Sequence, residues 1–268
     1  MRRLLIRPGG IGDCILSLPA LECLTADYTE IWAPESVRPL IRFADRVRSI
    51  ACTGLDLVGV PEVDPPPATI ENLRSFDSIV SWYGSNRAEF REHVAKLSLP
   101  FQFFPALPPP NVRVHAADFF LAQAGCQGSA IPKISCPPAQ RSDFAAIQPF
   151  SGSPRKNWPL DRFRELAERL PLPVQWCAGP EENLAGAARF TDLYELACWL
   201  RTARLYIGND SGITHLAAAV GTPLAAIFGP SDPAVWAPRG DQVSIIAGKL
   251  AEIAVEQVLG EIYELLRR

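Results

Sequence analysis

The chain has 268 residues, 48% hydrophobic and 21% charged, which suits a water-soluble globular protein with core enough for one large domain or two smaller ones. Its 26 lysines and arginines against 29 aspartates and glutamates give a formal net charge of −3, so the basic field of a nucleic-acid binder is missing. Seven scattered cysteines, with no C-x-x-C and only three histidines, give no zinc pattern. Free buried thiols in a reducing cytosol are the expectation.

Arg2 and Arg3 precede an apolar stretch, but Arg7, Asp13 and the glycines between them break it, so no signal peptide is expected. No run reaches the roughly 18 apolar residues of a membrane-spanning helix. A cytoplasmic protein, at most peripheral at a membrane, is expected.

In chain order, Arg3 to Arg7 reads as a strand feeding Pro8-Gly9-Gly10-Ile11-Gly12-Asp13, after which Ile15, Leu16, Leu18, Leu21 and Leu24 recur at helical spacing. Gly10 and Gly12 allow a ligand to approach the backbone. A dinucleotide-binding turn is one reading, with Glu35 about 20 residues on as the ribose-binding acid, but Ile15 stands where that fingerprint wants Gly or Ala. Asp13 is either a first-turn acid favoured by the helix dipole or a carboxylate held at a ligand crevice.

Ile31–Ala33, Val47–Ala51, Ile79–Trp82 and Phe101–Phe104 follow as predicted strands, with predicted helices over Glu35–Phe43 and Asn86–Lys96. Most of the many arginines here suit solvated helix faces, and a minority suit an anionic acceptor. Pro105–Pro110, a helix over Val112–Gly125 and a second proline-rich passage, Ile131–Ser142, lead to a domain boundary near Arg141. Residues 1–140 and 141–268 are thus two α/β domains.

The second half repeats the pattern. A strand over Phe144–Gln148 runs into a loop carrying Ser151, Gly152, Arg155, Lys156 and Trp158, in which small residues and a lysine suit a phosphate as well as a plain surface turn. Another strand, Val174–Ala178, ends at Gly179-Pro180-Glu181-Glu182, where an acid suits a helix start or a ribose hydroxyl. A helix over Asp192–Thr202 precedes the strand Leu205–Ile207, which breaks at Gly208 and passes Asn209, Asp210, Ser211 and Gly212 into an Ala-rich helix ending at Gly221. There Asp210 or Ser211 caps the helix, and His215 lies one turn in from Ser211. A strand over Pro223–Phe228 and a final apolar-striped helix, Leu250–Leu266, complete the chain; that helix is a brace that suits a return to the first domain.

Three segments resemble glycosyltransferase family 9, the heptosyltransferase family of bacterial lipopolysaccharide core assembly. They are Gly9-Gly10-Ile11-Gly12-Asp13 with Leu18-Pro19-Ala20-Leu21, then Lys156-Asn157-Trp158-Pro159, then Gly208 to Pro238 with its Gly229-Pro230-Ser231-Asp232-Pro233 run. The resemblance implies a GT-B fold, two Rossmann-like domains with parallel sheets facing a central cleft, the acceptor on the amino-terminal domain and the nucleotide-sugar on the carboxyl-terminal one. It implies inverting, metal-independent transfer from a nucleotide-diphosphate sugar, ADP-heptose, to a glycan or glycolipid acceptor, with no cofactor. It makes Asp13 the general base and Lys156 the cation on the donor diphosphate. Ser151, Gly152, Ser211 and Gly212 become donor-binding, with Asp210 holding sugar hydroxyls and His215 the donor or its loop. A nucleotide-binding protein without turnover and an NAD-dependent oxidoreductase are the alternatives.

Overall fold

A computed structural model describes residues 1–267. They form two compact units: residues 1–112 with 116–130, and residues 113–115 with 131 onward.

The first unit contains β1 (Arg2–Ile6), α1 (Ile11–Cys23), β2 (Tyr28–Ala33), β3 (Arg46–Ser49), α2 (Pro67–Arg74), β4 (Ser78–Ser81), α3 (Ala88–Lys96), β5 (Phe101–Phe103) and α4 (Ala116–Gln123). All its strands are parallel, in the order β3-β2-β1-β4-β5. Leu4, Ile6, Trp32, Ile79 and Phe90 are fully buried in one layer of the core. Sheets covered on both faces have uninterrupted apolar strands, and Leu4, Leu5 and Ile6 are all at 0% exposure.

Three expectations fail here for local reasons. The helix expected over Glu35–Phe43 is a 3-10 turn, Glu35–Leu40, with Pro34 before it and Pro39 inside it. The helix expected from Val112 starts only at Ala116, because Arg113 and His115 are engaged by the second unit. The Arg113 guanidinium donates to both Asp232 oxygens (3.0 and 3.2 Å) and His115 Nε2 donates to Ala237 O (2.9 Å). Of the cysteines expected as free thiols, Cys23 and Cys126 are instead joined in a disulfide. Their separation of 103 residues concealed the pairing in the sequence. Cys14 and Cys177 are free and buried, and burial pushes both thiols up to about 12.

The second unit contains β6 (Ser142–Gln148), α5 (Leu160–Arg169), β7 (Val174–Trp176), α6 (Leu193–Thr202), β8 (Ala203–Asn209), α7 (Gly212–Ala219), β9 (Leu224–Phe228), α8 (Pro233–Trp236), β10 (Val243–Ala247) and α9 (Val255–Arg267). Its parallel strands run in the order β10-β9-β8-β6-β7. The unit begins ahead of Arg141 because the proline-rich passage is already fastened to it. Ile134 N–H donates to Ala219 O at 2.9 Å, Tyr194 O–H to Ser135 O at 3.2 Å, and Arg141 to Gly221 O at 2.7 Å.

The last helix belongs to this unit. The Val255, Val258, Leu259, Ile262 and Leu265 stripe is buried in one core with Phe163, Leu166, Ile227 and Ile246. Arg162 on α5 ties down its approach through the carbonyls of Ala251 and Ile253. At about 1.5–3 kcal/mol per buried aliphatic side chain, that stripe is a substantial part of the unit's stability.

Candidate active site

In each sheet the strand order reverses once, between β1 and β4 in the first and between β6 and β8 in the second. Loops leaving adjacent strands at such a point diverge to opposite faces and leave a crevice at the carboxyl edge, where ligands of α/β proteins bind. The residues singled out from the sequence lie in these loops or at the starts of the helices that follow them.

In the second unit, Ile147 is in register with Ile207 and Gln148 with Gly208, so the loops starting at Pro149 and at Asn209 leave side by side. Asn209 joins them. Its side chain is fully buried; Nδ2 donates to Pro149 O (2.7 Å) and Oδ1 accepts from Trp158 N–H (2.8 Å). Trp158 is 1% exposed, edge-on to Phe163 with ring centroids 5.0 Å apart, and donates its indole N–H to Ile253 O. Packing is its role. The fixed Trp158 holds the 3-10 turn Pro154–Lys156 over the end of β8.

There the Lys156 ammonium meets the Asp210 carboxylate at 2.7 Å. The sequence reading gave them separate tasks, diphosphate and sugar; the structure pairs them across 54 residues. Asp210 is 6% exposed and Lys156 35%, so the carboxylate is buried beneath a cation that still reaches solvent. An ionised carboxylate this deep needs such a partner.

Ser211, not Asp210, is the cap of α7, accepting from Thr214 N–H at 3.3 Å. Thr214 in turn donates to Asn209 O (2.5 Å), and its hydroxyl lies 3.2 Å from that of Tyr206, whose ionisation burial pushes upward. A side chain at Gly208 would strike that phenol, so glycine is required at this strand end. Gly212 opens α7. His215 is buried on the next turn, its own N–H bonded to Ser211 O. Ser151 Oγ lies 2.8 Å from Ser153 O and 2.7 Å from Asn157 Oδ1 and accepts from Ser153 N–H at 3.4 Å, so the hydroxyl serves the loop both as donor and as acceptor. Gly152 is exposed, with open space where a Cβ would stand.

Neither acid after β7 starts a helix. Glu182 folds back to accept from Gly179 N–H at 2.6 Å. Asn209 and Thr214 were missed by the sequence reading; a polar residue closing an apolar strand was the one signal available. Asn209→Ala removes both bonds of a fully buried amide and leaves Trp158 N–H unpaired, at about 1–3 kcal/mol per orphaned group. Urea unfolding should show a loss of about 2–4 kcal/mol.

In the first unit, Asp13 sits in the first turn of α1 and accepts from Gly10 N–H at 3.0 Å through Oδ2. That closes the helix start on itself through one of the two carboxylate oxygens. Gly9 has φ of +123°, and a Cβ there would come within 3.0 Å of Asp13 Cβ and 3.1 Å of Oδ2. Glycine is therefore needed at position 9 both for the backbone and for room beside the carboxylate. Gly10 is the exposed cap residue and Gly12 lies in the same first turn. Ile15 is 1% exposed, filling core, and Glu35 is paired with Arg38 at 3.1 Å.

At the carboxyl ends of β4 and β5 the same unit has a recess of about 460 Å³. Ser85, Asn86 and Arg91 give it polar groups, and Phe103, Pro105 and Leu107 give it an apolar wall. The Arg91 guanidinium lies over the Phe103 ring, 5.7 Å from its centroid, and makes no ion pair among the described residues. Among the described residues no group of three or more His, Cys, Asp or Glu is placed to hold a metal ion, and no helix is long and apolar enough to cross a membrane.

Two Rossmann-like units with parallel sheets, each with its candidate residues at the strand-order reversal, have the fold of the GT-B glycosyltransferases. The structure of Escherichia coli ADP-heptose lps heptosyltransferase II matches 100% of this chain and 99% of its own at a TM-score of 0.73, with 18% identity. A Veillonella parvula glycosyl transferase family 9 structure matches at 0.74, with 20% identity over 99% of this chain and 97% of its own. The resemblance to glycosyltransferase family 9 holds: residues 174–258 match the model of glycosyltransferase family 9 (heptosyltransferase). Lipooligosaccharide heptosyltransferase 2 of Haemophilus influenzae is 34% identical over 116 residues, 35% of this chain and 33% of that protein. The matched sequence thus spans about a third of that curated relative. The family segment contains Asp210, Ser211, Gly212 and His215; Asp13 and Lys156 lie outside it.

Proposed function

We propose that this chain is an inverting glycosyltransferase that moves heptose from an ADP-sugar to a glycan or lipopolysaccharide-core acceptor. The observation that carries the reading is the Lys156–Asp210 pair at the strand-order reversal of the unit that holds the family match. The likeness in fold to the Escherichia coli ADP-heptose lps heptosyltransferase II supports the ADP-heptose donor.

The donor's diphosphate competes with the Asp210 carboxylate for the Lys156 ammonium. As Lys156 turns to the phosphates, Asp210 becomes free to accept from sugar hydroxyls, so the two roles expected from the sequence follow in succession. The N–H groups at the start of α7 and the Lys156 charge then meet the negative charge that develops on the leaving diphosphate. On the first unit, Asp13 takes the proton of the acceptor hydroxyl as that oxygen bonds to the anomeric carbon and the bond to the diphosphate breaks. The recess at β4 and β5 seats the acceptor, its apolar wall against a sugar face and Arg91 on an anionic group.

In this reading the leaving group is neutralised by protein donors and transfer needs neither cofactor nor metal. The enzyme meets its glycolipid acceptor as a peripheral protein at the inner face of the membrane.

Calorimetric titration with ADP, UDP and NAD, followed by an ADP-release assay on truncated lipopolysaccharide cores with and without EDTA, tests the proposal. Selective ADP binding and EDTA-resistant release of ADP that depends on the acceptor are expected. ADP binding with no release on any core would leave a nucleotide-binding protein without turnover. NAD binding alone would overturn the reading, and loss of release in EDTA would overturn its metal-free form.

A further inference from the structure

The most deeply buried cation of the first unit has no part in the mechanism above. Arg7 follows β1 directly and is 1% exposed, although a guanidinium is among the costliest groups to bury. No carboxylate pairs with it among the described residues. Its Nη2 donates to Asp13 O at 3.1 Å and its Nη1 to Ala106 O at 3.4 Å, while its plane lies over Phe120, 4.4 Å from the ring centroid. Its Nε has no hydrogen-bond partner, and burial lowers its pKa.

Both contacts are informative. Asp13 O belongs to the first turn of α1, the turn that Gly10 N–H closes onto the Asp13 carboxylate. Ala106 lies in the wall of the β4–β5 recess, beside Pro105 and Leu107. One side chain therefore grips, from beneath, the segment that carries the candidate base and the segment that walls the candidate acceptor seat. The ring of Phe120 on α4 packs against the fork.

We propose that Arg7 is a positioning residue that holds the Asp13 turn and the Pro105–Leu107 segment in one fixed geometry, setting the acceptor hydroxyl against its base. This rests on the transferase reading for its consequence and on the two hydrogen bonds for its structure. A flat fork holds its donors on separate nitrogens in a rigid plane and so spans two carbonyls, whereas a lysine ammonium presents all three of its donors from one atom at the end of a flexible stem.

The test compares the native chain with Arg7→Met and Arg7→Lys by two readouts: hydrogen exchange of the Gly10 amide, and kcat and KM in the ADP-release assay. Arg7→Met should speed Gly10 exchange about tenfold or more and lower kcat about tenfold with donor KM unchanged, while Arg7→Lys should recover part of both. If Arg7→Met does not fold, Arg7→Lys should still show the same kcat-only loss at smaller size. Native Gly10 exchange in both variants, or a fall in melting temperature with kcat intact, would overturn the proposal. Absence of transfer by the native chain would sink the transferase reading, and Gly10 exchange would still decide whether Arg7 holds the turn.

Discussion

Lys156→Ala is expected to lower transfer by about 10²–10³ in kcat, the loss seen when one preorganised donor to a developing oxyanion is removed. It should also weaken ADP binding, since the phosphates lose a charge-assisted contact. The same substitution strands a carboxylate. Asp210 is 6% exposed, and its cation at 2.7 Å would be gone. Breaking a fully buried pair costs about 3–5 kcal/mol. Lys156 keeps 35% of its exposure, so water can reach the gap and about 1–2 kcal/mol is expected here. The two effects separate in a double variant. Lys156→Ala with Asp210→Asn removes the stranded charge and should regain most of the stability by thermal melting, while transfer stays as low as in Lys156→Ala or falls further. Recovery of transfer along with stability would mean that the lysine serves the fold alone.

This pair also shows which features the sequence made legible. Apolar runs ended by glycine or proline announced most of the strands, because a parallel sheet covered on both faces needs uninterrupted apolar strands and a turn residue at its end. Local chemistry also announced the cap: Ser211 does what a serine before a helix does. Lys156 and Asp13 were singled out by motif resemblance; Lys156 lies in the 3-10 turn of the loop after β6, and Asp13 lies in the first turn of the helix that follows β1.

Partners distant in the chain were not legible. Nothing in the loop after β6 indicates that Lys156 lies against Asp210, or that Asn209 binds Pro149 and Trp158. Those contacts depend on β6 and β8 being neighbours, which strand order alone decides. The Cys23–Cys126 disulfide, the capture of Arg113 by Asp232 and the docking of α9 on α5 have the same origin. Helix α2 escaped for a different reason: only Thr69 and Leu73 of its eight residues are buried, too few to leave a period.

The second large effect concerns Asp13, and its two substitutions should differ in an informative way. The carboxylate has a structural task, accepting Gly10 N–H at 3.0 Å, besides the proposed catalytic one. Asparagine presents a carbonyl oxygen of the same reach, so Asp13→Asn keeps the turn closed and should melt within about 0.5 kcal/mol of the native chain. Its amide has no useful basicity, and a positioned general base contributes about 10²–10⁴. Transfer should fall by that factor with donor affinity unchanged, because the donor binds residues of the other unit. Asp13→Ala loses both functions and should lower stability by about 1 kcal/mol more, as other removed helix caps do. Kinetics and melting on the two variants therefore divide the residue's roles. Near-native turnover in Asp13→Asn would leave Asp13 as a cap alone, and the acceptor's proton would have to leave by another group.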